Sequence, residues 1–219
     1  MSRQLASKLR KTEALLKNGH VAAHIPQTVK YSSEELRRML ERYKFVFIKP
    51  VKGGGGHGVI KVGRHTSGYY CTRLSQTYRC SHFEELARVL STIKLKRPYL
   101  IQQGIELATI GGRPIDYRVK TVKNGGHWEF RAMVGRLARP GLVVTNLCKG
   151  GTLLPGAVGL KRSLRGFSAR AKRREMRELT MLCISVLEAH FPGIGQLGFD
   201  YGIDRSGRIW ILEVNTRPQ

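Results

Sequence analysis

The stretch FVFIKPVKGGGGHGVIKV, residues 45–62, restricts the possible folds more than any other part of the chain. An apolar run ends in Lys49-Pro50, four consecutive glycines and His57-Gly58 follow, and a second apolar run begins. Glycine lets backbone N–H groups approach a ligand closely, and successive N–H groups form a concavity suited to phosphate oxygens. A strand follows the loop where a dinucleotide fingerprint needs a helix, and no Gly-Lys-Ser/Thr stands at P-loop spacing. The stretch therefore predicts a flap that closes over a triphosphate, with a merely flexible hairpin as the alternative.

A second group of chemically informative residues lies near the C-terminus. Asp200 falls in one apolar run, and Glu213 and Asn215 lie two residues apart in the next. Residues two apart in a strand face the same side, so the three side chains converge if the strands pair across residues 204–207. Their oxygens suit Mg²⁺, and a carboxylate in so apolar a strand usually needs a metal or a partner. The pattern predicts a metal site, with a surface salt bridge plus a turn residue as the alternative.

The remaining patterns predict an α+β chain with mostly antiparallel pairing. S-x-x-E capping boxes begin at Ser32 and Ser81, and Asn124-Gly125-Gly126 is typical of a hairpin turn. Helices are expected at residues 5–17, 32–43, 81–92 and 168–190, and strands at residues 45–49, 59–63, 69–74, 98–103, 116–122, 128–137, 142–147, 195–204 and 208–215. The length of 219 residues allows one large domain or two small lobes.

The charge is far from balanced. Against 15 acidic residues there are 39 basic ones, a net charge of +24, and residues 161–177 alone hold eight Lys or Arg. Such a surface attracts anionic polymers, nucleic acid or phosphate-bearing ligands. Residues 161–177 indicate either a binding patch for an acidic polymer or protein, or a solvated helix face beside a basic loop. Nucleic acid is the less favoured partner, because the chain has no recognised nucleic-acid motif and its aromatics are not interleaved with the basic run.

Several classes of protein are not supported. No apolar run reaches the roughly 18 residues of a membrane span, and the basic, amphipathic N-terminus has no apolar core of a secretory signal. The four cysteines form no CxxC pair and have no histidine at metal-ligand spacing, so neither zinc nor a disulfide framework is expected. Reduced thiols predict a cytoplasmic location.

Taken in order, six segments resemble the ATP-grasp superfamily. They are the lysine strand with its glycine flap, LIQQGIEL, DYRV, GR, TNLCKGG and GFD…LEVN. The set is most similar to the ATP-grasp proteins associated with the spore coat of Bacillus-type bacteria, and also to peptide-forming amino-acid ligases. The resemblance runs from about Lys8 to the C-terminus. It implies one ATP-grasp domain over residues 1–219, in which two α+β lobes with mainly antiparallel sheets clasp a nucleotide.

The same resemblance implies lobe boundaries and ligands. The glycine-flap lobe would be residues 45–101, and the metal-binding lobe residues 1–44 plus 102–219. Relatives usually carry a further α/β domain before the first lysine helix, which this chain is expected to lack. ATP and Mg²⁺ are the implied cofactors, with two Mg²⁺ ions held by Asp200, Glu213 and Asn215. The implied nucleotide-binding residues are Lys8, Lys49, Gly53, Gly54, Gly55, Gly56, Gly58, Gln102, Gln103, Ile105 and Glu106.

Roles follow for these residues from the family pattern. Lys49 would contact ATP phosphates, as would Lys8, for which Lys11 is a rival. Gln102, Gln103 and Ile105 would pair the adenine edge through backbone groups, with an ordinary buried strand as the alternative, and Glu106 would reach the ribose.

Two catalytic residues, Arg136 and Asn146, are also implied. Arg136 would sit on the transferring phosphate, and Asn146 with Gly150-Gly151 matches an Asn…Gly-Gly stretch; an ordinary surface arginine is the alternative for Arg136. Asp116 and Arg118 match a D-x-R element, either as substrate contacts or as a structural pair. Val144 stands where glutamate-adding relatives have a basic residue, so an acidic amino-acid substrate is not supported.

The implied reaction is carboxylate activation by ATP to an acyl phosphate, followed by attack of an amine. The carboxylate acceptor is not specified by the sequence. Two other functions stay open: a phosphotransferase on the same scaffold, and a non-catalytic basic coat or scaffold protein with a retained nucleotide fold. The resemblance adds association with the forming spore coat to the expected cytoplasmic location.

Overall fold

A computed structural model describes residues 8–53, 55–142, 145 and 150–216, with the side chain of Lys8 outside that description. In chain order the elements are α1 (Lys8–Leu16), α2 (Gly19–Ala22), β1 (Thr28–Lys30), α3 (Ser33–Arg42), β2 (Phe45–Pro50), β3 (Ile60–His65), β4 (Gly68–Arg73), β5 (Gln76–Cys80), α4 (Phe83–Ile93), β6 (Tyr99–Gln103), β7 (Thr109–Ile110), β8 (Arg113–Asn124), β9 (His127–Leu137), β10 (Thr152–Pro155), α5 (Gly156–Ser163), α6 (Ala169–His190), β11 (Gln196–Ile203) and β12 (Ile209–Asn215). The predicted α+β class with antiparallel sheets is confirmed.

The chain divides into two compact units. Unit 1 comprises residues 1–25, 106–137 and 152–219, and unit 2 comprises residues 26–105 and 138–151. The segment containing β1 and α3 therefore lies in the same unit as the glycine loop. The lobe boundaries drawn from the sequence, which group that segment with the metal-binding residues, stay a prediction.

Unit 2 is built on a six-stranded sheet in the order β1-β6-β2-β3-β4-β5. Every neighbouring pair is antiparallel, and α3 and α4 contribute buried leucines to the same core as the strands. Ser32 begins α3 as predicted, since its Oγ accepts from the Glu35 amide at 3.1 Å.

The predicted capping box of α4 is wrong by one residue. His82, not Ser81, is the N-cap: its Nδ1 accepts from the Glu85 amide at 3.3 Å. The Glu85 carboxylate in turn accepts from the Ser81 amide at 2.8 Å. The helix therefore begins with a variant of the capping box, in which histidine is the N-cap acceptor and the Glu85 carboxylate binds the amide of the residue before the N-cap.

Unit 1 is built on a sheet in the order β10-β9-β8-β11-β12, with β7 beside β8. The β8–β9 hairpin closes where predicted, and Gly125 and Gly126 have φ of 53° and 85°, as a two-residue turn with two positive φ values requires. The apolar stripe of α6 buries Leu179, Cys183 and Leu187 in the core of this unit.

Other elements differ from the sequence expectation. A short helix follows the first predicted one: the Asn18 Oδ1 accepts from the Val21 amide at 3.1 Å and so begins α2. Strand β1 lies where a short extended segment was expected after residues 24–28, whereas strands β5, β7 and β10 and helices α2 and α5 were not predicted. The predicted strand at 142–147 lies largely outside the described residues. Among the residues that the structure describes, no helix is long and apolar enough to cross a membrane.

Candidate functional site

One face of the unit 1 sheet carries a cluster of charged side chains. Asp116 and Arg118 are two residues apart in β8, so they share that face. Arg136 of β9 lies opposite Asp116, and Asp200 of β11 lies opposite Arg118. Directly opposed residues have Cβ atoms about 4.5–5.5 Å apart, which brings four charged groups from three adjacent strands together.

The cluster is joined by paired hydrogen bonds. Arg136 donates from Nε and Nη2 to the two oxygens of Asp116, at 2.7 and 2.6 Å. Arg118 donates to both oxygens of Asp200 in the same way, with 3.0 Å between Nη2 and Oδ2. Arg136 Nη2 also lies 3.2 Å from Asp200 Oδ2 and so connects the two pairs. The sequence left open whether Asp116 and Arg118 are substrate contacts or a structural pair. In the structure Asp116 pairs with Arg136 and Arg118 pairs with Asp200, each through two hydrogen bonds across the sheet.

Arg136 is the most deeply buried arginine of this cluster, with 8% of its side chain exposed. Burial alone would lower the pKa of its guanidinium, but the hydrogen bonds and charge of Asp116, together with Asp200, outweigh burial and raise that pKa above the ordinary value. Arg136 is therefore a fixed cation and not a solvated surface arginine. Within the described residues its bonds engage Nε and Nη2 and leave the Nη1 amino group for another acceptor.

Strand β12 adds two oxygen donors to the same side. β11 and β12 pair across the predicted turn, with Glu213 opposite Asp200 and Asn215 opposite Gly198. The register shifts between Asp200 and Tyr201, so that Leu212 is the additional residue of a β-bulge. The bulge keeps Glu213 and Asn215 on the face that carries Asp200, although it interrupts simple alternation along β12.

The turn before β12 is fixed by one carboxylate. Asp204 Oδ1 accepts from the amides of Ser206 and Arg208 at 2.9 and 3.0 Å, and Oδ2 accepts from Trp210 Nε1 at 2.8 Å. Burial would raise the pKa of Asp204, but the hydrogen bonds from Ser206 and Trp210 lead a set of interactions that lowers it. This turn sets the register that places Glu213 opposite Asp200.

The donor set is chemically suited to a hard cation. A carboxylate has about four lone-pair directions, and Asp200 uses three for its two arginine partners, which leaves one for a metal. Glu213 and Asn215 supply carboxylate and amide oxygens, which are suitable ligands for Mg²⁺. No group of three or more His, Cys, Asp or Glu side chains suited to a metal occurs among the described residues. A site here would therefore need the Asn215 amide as its third protein ligand.

Helix α1 contributes a buried lysine to unit 1. Lys8 begins the helix, and its side chain lies outside the described residues. Lys11, the rival candidate, is only 2% exposed, so it is not a solvated helical lysine. Helical spacing from the buried Ala14 and Leu15 is the sequence signal that could have favoured Lys11 over Lys8.

In unit 2, Lys49 is held by a series of side-chain hydrogen bonds that the sequence did not predict. Its Nζ donates to Gln102 Oε1 at 2.5 Å, and Gln102 Nε2 donates to Thr28 Oγ1 at 3.2 Å. Gln102 is 9% exposed, so these bonds satisfy its buried amide. The backbone role that the sequence assigned to Gln102 at the nucleotide stays a prediction; its side chain orients Lys49.

The glycine loop after Lys49 has the backbone expected of such a flap. Gly53, Gly55, Gly56 and Gly58 all have φ between 62° and 145°, and Gly54 lies outside the described residues. Gly58 is also held by packing, since a Cβ there would lie 2.9 Å from both Leu95 Cδ1 and Pro50 Cγ. The loop therefore combines an anchored end at Gly58 with exposed positive-φ positions before it.

The hinge segment is partly committed to the sheet. The Gln103 amide donates to the Gln27 carbonyl at 2.8 Å, and the Gly104 amide donates to the Phe45 carbonyl at 3.0 Å. These two N–H groups are therefore used inside unit 2. A backbone N–H donor to adenine would have to come from the residues after them, where Ile105 is buried and Glu106 is exposed.

The family sequence profile described as "YheC/D like ATP-grasp" matches residues 1–219. The chain belongs to this family. It is 32% identical over 218 residues to the endospore coat-associated protein YheD of Bacillus subtilis, which covers 94% of this chain and 47% of the relative. It is 27% identical over 210 residues to YheC of the same organism, covering 89% of this chain and 55% of the relative. The chain thus spans about half the length of these curated relatives.

Solved structures agree with an ATP-grasp fold. N5-carboxyaminoimidazole synthase of Aspergillus clavatus, crystallised with ADP and 5-aminoimidazole ribonucleotide, superposes with a TM-score of 0.61 at 15% identity, over 99% of this chain and 46% of that one. An L-amino acid ligase of Bacillus licheniformis gives 0.59 at 14% identity, over 98% and 41%. D-alanyl-alanine synthetase A of Vibrio cholerae gives 0.55 at 14% identity, over 98% and 56%.

The ATP-grasp residues predicted from the sequence thus fall into three groups. Arg136, Asp200, Glu213 and Asn215 come together on one sheet face of unit 1. Lys49 and its glycine loop are adjacent in unit 2. Asn146 and Val144 lie outside the described residues, whereas Gly150, with φ of 82°, has the backbone that favours glycine.

Proposed function

We propose that the chain binds Mg·ATP and uses it to join a carboxylate to an amine through an acyl-phosphate intermediate. The observation that carries the proposal is the unit 1 sheet face, where two arginines and the oxygens of Asp200, Glu213 and Asn215 lie on one side. Membership of the ATP-grasp family supports ATP as the substrate that this face would meet. The ligase names of several structural neighbours support the class of reaction.

Asp200, Glu213 and Asn215 would hold Mg²⁺. When bound, the ion would neutralise the negative charge of the phosphates, including the charge that develops as the phosphoryl group is transferred. The protein's own contribution is to fix the donors: Asp200 is oriented by its pairing with Arg118, and Glu213 is set opposite it by the register of β12.

Arg136 would stabilise the charge that develops on the transferring phosphoryl group. Its raised pKa keeps it protonated at working pH, and Asp116 holds its fork so that no reorganisation is needed during the reaction. In the first step an oxygen of the acceptor carboxylate bonds to the γ-phosphorus, and ADP leaves. In the second step the amine bonds to the acyl carbon and loses a proton, and inorganic phosphate leaves.

Lys49 would contact the phosphates from unit 2. Gln102 orients its ammonium group, and the positive-φ glycines of the following loop could present backbone N–H groups to phosphate oxygens. We also propose that the protein is cytoplasmic and associates with the forming spore coat; the names of both curated relatives support the association with the coat.

A calorimetric titration of Mg·ATP tests the nucleotide site first. Moderate salt suppresses nonspecific phosphate binding to the +24 surface. The parent is expected to bind at one saturable site, and Lys49→Ala and Glu213→Ala are expected to lose that binding. Lys161→Ala and Glu41→Ala, which each remove an exposed residue of the same charge outside the proposed nucleotide-binding residues, serve as matched controls. Equal binding by all five proteins, or no binding by the parent, would refute the proposal.

The reaction class is then tested with hydroxylamine. Acceptor amino acids are added with ATP, and any acyl phosphate is trapped as a hydroxamate. Hydroxamate with equal release of ADP supports the ligase. A stable phosphorylated product without hydroxamate supports the phosphotransferase, and nucleotide binding without turnover supports a scaffold.

A further inference from the structure

A groove of about 840 Å³ lies in unit 1 between the first turns of α6, the start of α5 and β9. We call it the arginine groove. Four arginines of α6 line it: Arg170, Arg173, Arg174 and Arg177. Their spacing of three, four and seven residues puts them on one face of the helix. This face belongs to the basic segment that the sequence left open between a binding patch and a solvated helix.

The positive charge of the groove is poorly compensated. In the part of the chain that the structure describes, no carboxylate lies within ion-pair distance of Arg170 or Arg173. Arg174 has Glu178 at 3.7 Å, but the two side chains are 78% and 69% exposed, so water screens the pair. Glu175 is paired with Lys172 at 2.6 Å, away from the groove lining. A ligand in the groove would meet a mainly positive wall.

The floor of the groove is apolar. Met181 is 42% exposed, and Phe130, Ala157 and Ala169 are the other apolar lining residues; Glu178, the partner of Arg174, is the one carboxylate among the described lining residues. Apolar side chains beneath a charged wall suit a partner that presents both charged and apolar groups. Methionine adapts its shape to different apolar partners, which suits it to this position.

The aromatic ring in the floor cannot serve as a stacking platform for a base. The Arg177 guanidinium lies 4.0 Å from the Phe130 ring centroid and so covers one face. Phe130 also packs against the core of unit 1. Single-stranded nucleic acids gain much of their affinity by stacking on free aromatic faces. The groove therefore lacks the contact that would favour nucleic acid over another anion.

We propose that the arginine groove binds an acidic peptide segment that carries an apolar side chain among its carboxylates. Arginine forks pair with carboxylates by two parallel hydrogen bonds, which gives both charge and geometric fit. The apolar side chain of the segment would lie against Met181 and Ala157 between those pairs. Binding here does not involve nucleotide, so it is independent of the function proposed above.

Fluorescence anisotropy of a labelled peptide, made of glutamates with leucine at every fourth position, tests the proposal without ATP. Arg170→Ala/Arg173→Ala removes two of the wall charges, and Met181→Ser removes the largest flexible part of the floor. Lys161→Ala/Arg162→Ala removes two exposed charges of the same basic segment that do not line the groove, and is the matched control. All five substituted positions are surface or groove positions, and a thermal melt checks that each variant is folded.

The Arg170→Ala/Arg173→Ala variant is expected to weaken peptide binding about tenfold or more, and the control variant less than about twofold. Met181→Ser is expected to weaken binding of this peptide, but not binding of a peptide that has serine in place of leucine. Binding should decrease with salt and retain a part that salt does not remove.

Three outcomes would overturn the proposal. The first is no binding by the parent. The second is equal weakening by the groove and control variants, which would indicate net charge alone. The third is that a single-stranded DNA of equal charge binds as tightly and with the same dependence on Arg170 and Arg173.

Discussion

The buried pair of Asp116 and Arg136 allows a quantitative test of how the site is held. The two side chains are 7% and 8% exposed and share two hydrogen bonds of 2.6 and 2.7 Å. Replacing Arg136 with methionine leaves the Asp116 carboxylate buried without the guanidinium group that donates to both of its oxygens. Removing one partner of such a pair costs about 3–5 kcal/mol, because the desolvated charge that remains is uncompensated. For a chain of this size that corresponds to a decrease in Tm of roughly 6–20 °C.

A double variant distinguishes the cost of an unpaired buried charge from general damage to the core. Arg136→Met/Asp116→Leu removes both charges and keeps similar volume, and buried ion pairs replaced in this way often lose little stability. The double variant should therefore unfold at higher urea concentration than either single variant, as measured by circular dichroism. Arg174 and Glu178 form the exposed comparison pair, for which each single change should cost less than about 1 kcal/mol.

Two results would contradict the argument. One is a cost below about 1 kcal/mol for Arg136→Met, which would mean that water or another group compensates Asp116. The other is strict additivity of the two single changes, since residues in direct contact should show a coupling energy.

Three further outcomes are expected. Gly58→Ala should cost about 1–3 kcal/mol in urea unfolding, and more than Gly166→Ala, because both glycines have positive φ but only Gly58 lacks room for a Cβ. The pKa of Asp204 is lowered by folding, so its ionised carboxylate stabilises the fold above the ordinary aspartate pKa of about 3.9, and this contribution is lost as pH falls through the lower folded pKa. Asp204→Asn should therefore lower the free energy of unfolding at neutral pH. The free energy of unfolding of this variant should also decrease less than that of the parent as the solution is acidified. Burial raises the pKa of Cys183 to about 12, so thiol reagents should label it at pH 8 only after denaturation, in a time course with and without urea.

Local patterns predicted the elements whose signals lie within a few residues. The Ser32 cap, the Gly125-Gly126 turn and the apolar stripe of α6 are examples, and all three are confirmed. Elements with mixed signals were missed. Helix α5 follows a proline and contains two glycines in GAVGLKRS, and β5 is the polar edge strand QTYRC. In both, tertiary packing decides the structure against weak local propensity.

The candidate site divides in the same way. The convergence of Asp200 and Glu213 was predictable, because β11 and β12 are joined by a short turn. The pairing of Asp200 with Arg118 was not, because β8 and β11 are far apart in sequence and their register depends on the whole sheet. The orientation of Lys49 by Gln102 was missed for the same reason, since β2 and β6 are separated by three other strands along the chain.

The way the two units are threaded has a consequence for synthesis on the ribosome. The sheet of unit 2 comes from one continuous stretch, β1 to β6, and can pair as soon as that stretch has emerged. Helix α1 buries Ala14 and Leu15 in the same core as β12, which lies near the other end of the chain. At about 5–20 residues per second, roughly 10–40 seconds separate the appearance of α1 from that of its last partner. For that interval the apolar face of α1 is without its partner, so newly made chains should depend on chaperones at α1 and not at the glycine-loop unit.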